Sequence, residues 1–197
     1  MMELKNYSGL LTDRLIIEAI LDRKIIIEPF PFDKVKLNDP STWPEQLRPT
    51  SYVFTLGETY AVISQGIKFL KATEPSAESL VWHKIGDELF LSPGQSIHAR
   101  TYERIGLADD ISGMIDGLKQ IAEKFITVHT TSGTWNPGDG GPNDPKGPYP
   151  MLLELRNDGP KPVVFRVKDP ICKMEFFKLP EPVERPYYKI KYAKANR

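Results

Sequence analysis

The sequence predicts a mainly β fold, an antiparallel β-sandwich or distorted jelly roll with an N-terminal helix and one short internal helix. Its 197 residues include 18 prolines and 14 glycines, which divide the apolar residues into short runs. Several of these runs alternate apolar and polar residues, which is the period of a half-buried strand. Only two segments show helical spacing, so short strands joined by many turns are expected to form most of the chain.

The first element is a helix over residues 12–24. Thr12 is a suitable N-cap, and Asp13 complements the positive end of the helix dipole. The apolar side chains that share one face of this helix are Leu15, Ile16, Ala19 and Ile20.

Strands are predicted from the end of this helix to the middle of the chain. A β-branched run at 25–28 stops before Pro29, and further strand-like runs cover 51–57, 59–64 and 67–72, with glycines between them. Roughly eight to ten short strands are expected in all, as in an antiparallel sandwich or jelly roll.

A turn at residues 92–94 leads into a longer strand. There Ile97, Ala99 and Thr101 alternate with polar residues, which indicates one buried face and one exposed face.

The second half of the chain contains the short helix and an irregular loop. The helix is predicted over 118–125, where Lys119 and Glu123 stand one turn apart and pair. Residues 136–150 cannot be regular structure, because all but two are glycine, proline, asparagine or aspartate. Three more strands and a basic, aromatic tail at 180–197 complete the chain.

Composition excludes several classes of function. Acidic and basic residues balance at 26 each, so no overall field attracts nucleic acid or an anionic membrane. The one cysteine, Cys172, excludes an internal disulfide, suits a reducing cytoplasm and is expected to be a small buried apolar group. No apolar run is long enough to span a bilayer, and no signal peptide is evident. We expect a single cytoplasmic domain over residues 1–197.

A series of short sequence landmarks along the whole chain resembles the dCTP deaminase branch of the trimeric dUTPase-like superfamily. These landmarks are residues 11–14, 24–25, 29–30, 49–51, 56–57, 92–94, 101–104, 107–113, 176–179, 184–187 and 191–192. The resemblance implies a dUTPase-like jelly roll that assembles as a homotrimer, with active sites between subunits and the 180–197 tail closing over the ligand. It also implies hydrolytic deamination of a deoxycytidine nucleotide to the uridine form. Mg²⁺ would accompany a triphosphate, with no protein-bound catalytic metal.

Glu154 is the residue that best matches the catalytic glutamate of the family. It lies between leucines, with Asn157 three residues later. Proton exchange near neutral pH requires a carboxyl whose pKa is raised by apolar surroundings, and this setting offers one. The same pattern also fits an alternating strand whose polar face points at water.

The base pocket of the family corresponds to residues 128–133. His129 and Thr131 match the histidine and threonine beside the base, and Ser132 stands where the family has alanine. As an alternative, His129 is a structural hydrogen-bonding residue in a strand.

The phosphate side departs from the family pattern. Where the family has Arg-Ser-Ser and a second arginine, this chain has Leu118, Lys119, Gln120 and Glu123. Lys119 supplies one charge but does not replace two guanidinium groups. Asn136 replaces the aspartate that a pyrophosphatase uses as its base. An amide cannot take a proton at neutral pH, so hydrolysis of dUTP by that route is not expected.

Two further features bear on the ligand. In the tail, Tyr187 and Lys191 are expected to contact phosphates or to close the site. The 136–150 loop is longer than in the family. It either re-specifies the ligand at the rim of the site or is a tolerated surface insertion.

Three interpretations remain open from the sequence. The first is a working deoxycytidine nucleotide deaminase. The second is an inactive nucleotide-binding or regulatory relative that acts through protein contacts. The third is a related hydrolase acting on a less phosphorylated ligand.

Overall fold

The structure is a computed structural model that describes residues 4–72, 77–129 and 132–195. The helices are α1 (Asp13–Leu21), α2 (Lys119–Ala122) and α3 (Tyr187–Ala195). The strands are β1 (Gly9–Leu10), β2 (Ile25–Glu28), β3 (Leu47–Arg48), β4 (Ser51–Ile63), β5 (Leu80–Lys84), β6 (Leu89–Leu91), β7 (Ser96–Leu107), β8 (Ile111–Gly117), β9 (Ile126–Thr127), β10 (Thr134–Trp135), β11 (Tyr149–Asn157), β12 (Val163–Phe165) and β13 (Pro170–Lys178). The mainly β prediction is confirmed.

Most of these strands belong to one curled antiparallel sheet. Its order is β10-β8-β13-β4-β7-β11-β9, with β1, β2, β3 and β5 pairing alongside, while β6 and β12 form a separate pair. The long strand β4 joins the two halves, because its first residues pair with β13 and its later residues pair with β7 and β5. This architecture is the distorted jelly roll that the sequence predicts.

Two strand predictions around the first glycines were wrong. Gly57 does not end a strand but lies within β4, where an added Cβ would be 2.8 Å from the carbonyl oxygens of Arg100 and Thr101. This close approach of two backbones, rather than a turn, requires glycine there. Residues 67–72 are not a strand, and their apolar side chains Ile67, Phe69 and Leu70 are exposed.

Two other elements escaped prediction. The tail contains helix α3, whose helical spacing is hidden by its tyrosines and lysines, and the weakly apolar residues 111–117 form β8. The predicted internal helix is confirmed but shortens to the single turn of α2. No helix in the described ranges has the length and apolar character needed to cross a membrane.

The core forms between α1 and the inner faces of the sheet. The four predicted apolar residues of α1 are buried, and β7 buries Ile97, Ala99 and Thr101 as its alternation indicates. Cys172 is fully buried among these groups, as expected, and burial raises the pKa of its thiol. A thiol in such a setting packs as an apolar group.

A buried ionic cluster ties three segments of the sheet together. The carboxylate of Asp110, between β7 and β8, lies 2.6 Å from Lys24 Nζ and 3.1 Å from Lys178 Nζ at the end of β13. Burial alone would raise the pKa of Asp110, but the hydrogen bonds and charges of the two lysines outweigh it and lower this pKa. The cluster therefore stabilises the fold only while Asp110 is ionised.

We expect Asp110→Asn to lower the free energy of unfolding by about 3 kcal/mol at pH 7, because two lysines lose their buried counter-charge. The folded pKa of Asp110 lies below its unfolded value of about 3.9. The stabilisation is therefore complete above that value and disappears as the pH falls through the folded pKa. Chemical denaturation across this pH range measures it. Asp158→Asn, which removes an exposed partner of Arg156, is the control and should cost less than about 1 kcal/mol.

Candidate active site

A cleft of about 590 Å³ opens between strands β5, β7 and β11, the segment 132–139 and helix α3. Its walls mix aromatic side chains with a few charged and amide groups, as ligand sites do. The residues that line it are Leu80, Trp82, Arg100, Ile115, Ser132, Thr134, Trp135, Asn136, Asp139, Tyr149, Pro150, Leu152, Glu154 and Tyr187.

The floor of the cleft is the outer face of β11. Leu152 and Glu154 point to it because they alternate with Met151, Leu153 and Leu155, which are buried in the core. The register with β7 shifts between Pro150 and Leu152, and Tyr149 and Pro150 also line the cleft.

Glu154 lies at one end of this floor. It pairs across the strands with His98 of β7 and borders a second, smaller cavity of about 160 Å³ next to the cleft. Its side chain is half-buried and lines the cleft. The arrangement gives a carboxyl group that contacts a ligand space on one side and is backed by the core.

Arg100 is the cation of the cleft wall that the sequence did not single out. Its guanidinium group lies 4.1 Å from the ring centroid of Trp82, and both groups line the cleft. A cation held over an aromatic face is fixed in position and remains charged. In the sequence, Arg100 is marked only as a polar residue on an alternating strand, which does not distinguish a site residue from an exposed one.

Asp139 is the second carboxyl group of the cleft, and sequence reasoning missed it. It is 6% exposed, and its Oδ1 accepts hydrogen bonds from the Tyr149 hydroxyl at 2.5 Å and from Lys191 Nζ at 3.5 Å. Lys191 Nζ also donates to the Tyr149 hydroxyl at 3.0 Å. The available signal was an aspartate between glycines, a composition that otherwise indicates only a turn.

The environment of Asp139 disfavours its charge. Burial raises the pKa of Asp139, and the Tyr149 hydrogen bond and the charge of Lys191 oppose that rise without cancelling it. Burial and the hydrogen bond to Asp139 also raise the pKa of Tyr149, which therefore remains a donor. Perturbed carboxyl groups in a cleft are typical of functional sites.

The backbone next to Asp139 packs directly against the end of β7, and glycines make this close approach possible. A Cβ on Gly106 would lie 1.8 Å from the Gly140 carbonyl oxygen, and one on Gly141 would lie 1.9 Å from that of Leu107. The main chain of Asp139 is fixed as well, because its carbonyl accepts from Trp135 Nε1 and from the Leu107 amide. The 136–150 loop is therefore part of the site wall and not a loose surface insertion.

The tail packs against the same loop. The Tyr187 amide donates to the Pro137 carbonyl at 2.9 Å, and Pro186 and Tyr188 contact Gly138. Gly138 has a φ of +83°, which favours glycine. Helix α3 thus covers one end of the cleft.

The structure brings together five of the predicted site residues. Ser132, Asn136, Glu154 and Tyr187 line the cleft, and Lys191 contacts the cleft residues Asp139 and Tyr149.

The other three predicted residues are not part of this lining. His129 lies beside it, close to Gly133, and its buried Nδ1 has no hydrogen-bond partner among the residues that the structure describes. Thr131 lies outside the described residues. Lys119 is 89% exposed on α2 and pairs with Glu123 at 3.7 Å. Among the described residues there is no group of three or more histidine, cysteine or acidic side chains that could hold a metal ion.

The family model described as dCTP deaminase-like matches residues 10–179. The chain belongs to the dCTP deaminase-like family.

Relatives within this family match most of the chain. A dUMP-forming dCTP deaminase of Dictyoglomus thermophilum is 30% identical over 91% of this chain and 86% of its own length. A dCTP deaminase of Shewanella sp. (strain ANA-3) is 30% identical over 93% of this chain and 91% of its own. The crystal structure of the 2'-deoxycytidine 5'-triphosphate deaminase from Agrobacterium tumefaciens has the same fold, with a TM-score of 0.62 and 16% identity. That match covers 87% of this chain and 48% of the Agrobacterium chain.

Within this dCTP deaminase-like chain, the glycine contact predicts the effect of one methyl group. Gly106→Ala should lower the free energy of unfolding by about 2 kcal/mol, because the Gly140 carbonyl and Asp139 must move away. Gly86→Ala is the matched control: no atom lies within 4 Å of an added Cβ, and we expect a change below about 0.5 kcal/mol. Thermal unfolding of both variants measures the difference. Equal effects of the two substitutions would contradict the role of the contact.

Proposed function

We propose that this protein hydrolytically deaminates a deoxycytidine nucleotide to the uridine form, with Glu154 as the proton carrier. The observation that carries the proposal is the position of Glu154 at the floor of an aromatic cleft, in a chain of the dCTP deaminase-like family. Its relatives are named dCTP deaminases. A carboxyl group that borders a ligand space can take a proton from water and deliver it to a bound ligand.

The reaction assigns a definite task to Glu154. The oxygen of water bonds to C4 of the cytosine ring, the bond between C4 and the exocyclic nitrogen breaks, and ammonia leaves. Of the two protons of the water, one ends on ring N3 and the other on the departing amine. Glu154 takes a proton from the water and delivers it to the ring or the amine, so that neither hydroxide nor an amide anion has to form.

Other cleft residues would orient the base. Ser132 and Asn136 line the cleft and offer a hydroxyl and an amide that can form hydrogen bonds with a base. Trp82 and Trp135 supply flat apolar surfaces for a pyrimidine ring. Mg²⁺ would enter with a triphosphate ligand and would be held by its phosphates.

We propose further that the chain acts as a homotrimer with sites between subunits. Apolar side chains that line the cleft remain exposed in the single chain, Leu152 and Trp82 by 44% and 36%. Exposed apolar groups beside a ligand cleft indicate a surface that another subunit covers. Light scattering coupled to size exclusion should give three times the mass of the chain; a monomer would contradict this assembly.

The activity is tested by incubating the protein with dCTP, dCMP and deoxycytidine and by following uracil-containing products and ammonia. We expect turnover that falls about a hundredfold or more in Glu154→Gln, because general acid–base catalysis contributes on that scale. Ligand binding by the variant, measured by calorimetry, should remain.

The inactive nucleotide-binding relative is the second candidate. It is favoured by α2, where Lys119 pairs with Glu123 and leaves no excess positive charge on that turn. Binding of a nucleotide without any product, in the wild-type protein as in Glu154→Gln, would select this candidate and exclude the deaminase.

A further inference from the structure

Strand β11 changes its register against β7 in the middle of the cleft floor. Pro150 lies opposite Arg104 of β7. Leu152, two residues later, lies opposite Arg100, four residues before Arg104 on the antiparallel strand. Strand β7 therefore has two residues more than β11 at this point, and the pairing of the described strands gives Met151 no partner in the ladder.

The side chain of Thr101 takes the place of that partner. Its Oγ1 accepts a hydrogen bond from the Met151 amide at 2.9 Å and donates one to the Glu103 carbonyl at 2.7 Å. The first bond satisfies a backbone donor that the shifted ladder leaves over, and the second spans the extra residues of β7. Thr101 is 2% exposed in the single chain, so these bonds lie in its interior and do not depend on assembly.

Strand β4 holds β7 from the other side at the same place. The carboxylate of Glu103 accepts hydrogen bonds from the Thr55 amide at 2.8 Å, from the Thr55 hydroxyl at 2.9 Å and from Gln46 Nε2 at 2.7 Å. At Gly57, an added Cβ would lie 2.8 Å from the Thr101 carbonyl oxygen. The backbone that carries the Thr101 hydroxyl is therefore fixed by β4 at Thr101 and at Glu103.

The register shift decides which residue of β7 lies opposite Glu154. If the pairing at Pro150 continued unshifted, Glu154 would lie opposite Arg100, whereas with the shift it lies opposite His98. These positions differ by two residues, roughly 7 Å along a strand. The burial of alternate residues resists a slip of one residue, but a slip of two would keep the same alternation. Another contact must therefore exclude the slip of two.

We propose that Thr101 is a positioning residue, whose hydroxyl sets the register at which β11 holds Glu154 in the cleft. The inference rests on the deaminase function proposed above. Thr101 acts through β11, because its side chain is buried behind the floor. Proton transfer needs the carboxyl group within hydrogen-bond reach of the reacting atoms, and a displacement of about 1 Å can cost roughly a hundredfold in rate.

The kinetic test compares Thr101→Val with Thr101→Ser, using dCTP, dCMP and deoxycytidine as substrates. Thr101→Val keeps the shape of the side chain but removes the hydroxyl. We expect its kcat to fall at least about tenfold, because Glu154 is misplaced, while KM changes less than about threefold. Thr101→Ser keeps the hydroxyl and should retain kcat within about threefold. Thr101→Ala repeats the test with a smaller side chain if the valine variant does not fold.

Thr55→Val is the matched control, since it also removes a buried hydroxyl that is bonded to Glu103 but does not contact β11. Per folded molecule, measured by circular dichroism, it should retain kcat within about threefold. Hydrogen exchange followed by mass spectrometry tests the strand without turnover. Amides of residues 149–155 should exchange at least about tenfold faster in Thr101→Val than in the wild type, Thr101→Ser or Thr55→Val.

Unchanged kcat in Thr101→Val, an equal loss in Thr55→Val, or a loss without faster exchange in β11 would overturn the role of Thr101 and leave the deaminase intact. Faster exchange in Thr101→Val alone, in a protein that deaminates none of the three substrates, would overturn the deaminase and retain the control of the register by Thr101. Absence of both turnover and faster exchange would overturn both.

Discussion

The site depends on one contact between two stretches of backbone, where Gly106 and Leu107 at the end of β7 meet Gly140 and Gly141. No side chain fits between them, because an added Cβ would lie within 2 Å of a carbonyl oxygen on the opposite stretch. The contact turns an irregular, proline-rich loop into a fixed wall. The same contact fixes the backbone next to Asp139, whose side chain lines the cleft.

The end of the cleft at Glu154 depends on a different constraint, the register of β11 against β7. Because successive side chains point to opposite faces, a slip of one residue would turn Glu154 into the core and expose Leu153. The apolar residues Met151, Leu153 and Leu155 prevent that slip, since all three are fully buried. The position of the carboxyl group is thus maintained by the packing of its neighbours rather than by its own contacts. The burial of the same three residues therefore stabilises the core and fixes the position of Glu154.

The sequence predicted well what depends on local periodicity. The α1 face, the β7 alternation and the placement of Glu154 on a strand follow from spacings within a few residues. It failed where structure depends on contacts distant in the chain. From the sequence, Gly57 was predicted to end a strand, but in the structure it allows β4 to approach the backbone of β7. The composition around Asp139 indicates only a turn, but Asp139 accepts hydrogen bonds from Tyr149 and Lys191. No local pattern contains these pairings, because each joins segments that only the folded sheet brings together.

The same difference separates Glu154 from the exposed residues of α2. Glu154 belongs to a strand whose alternate residues are buried in the core. Substitution of these neighbours would disturb the packing and lower the free energy of unfolding. The side chains of Lys119 and Glu123 lie 89% and 59% exposed on a single helical turn. Replacement of such groups leaves the fold nearly unchanged, because surface substitutions seldom alter stability by more than about 0.5 kcal/mol. Side chains on α2 can therefore be replaced without loss of the jelly roll, whereas the position of Glu154 is tied to the packing of the core.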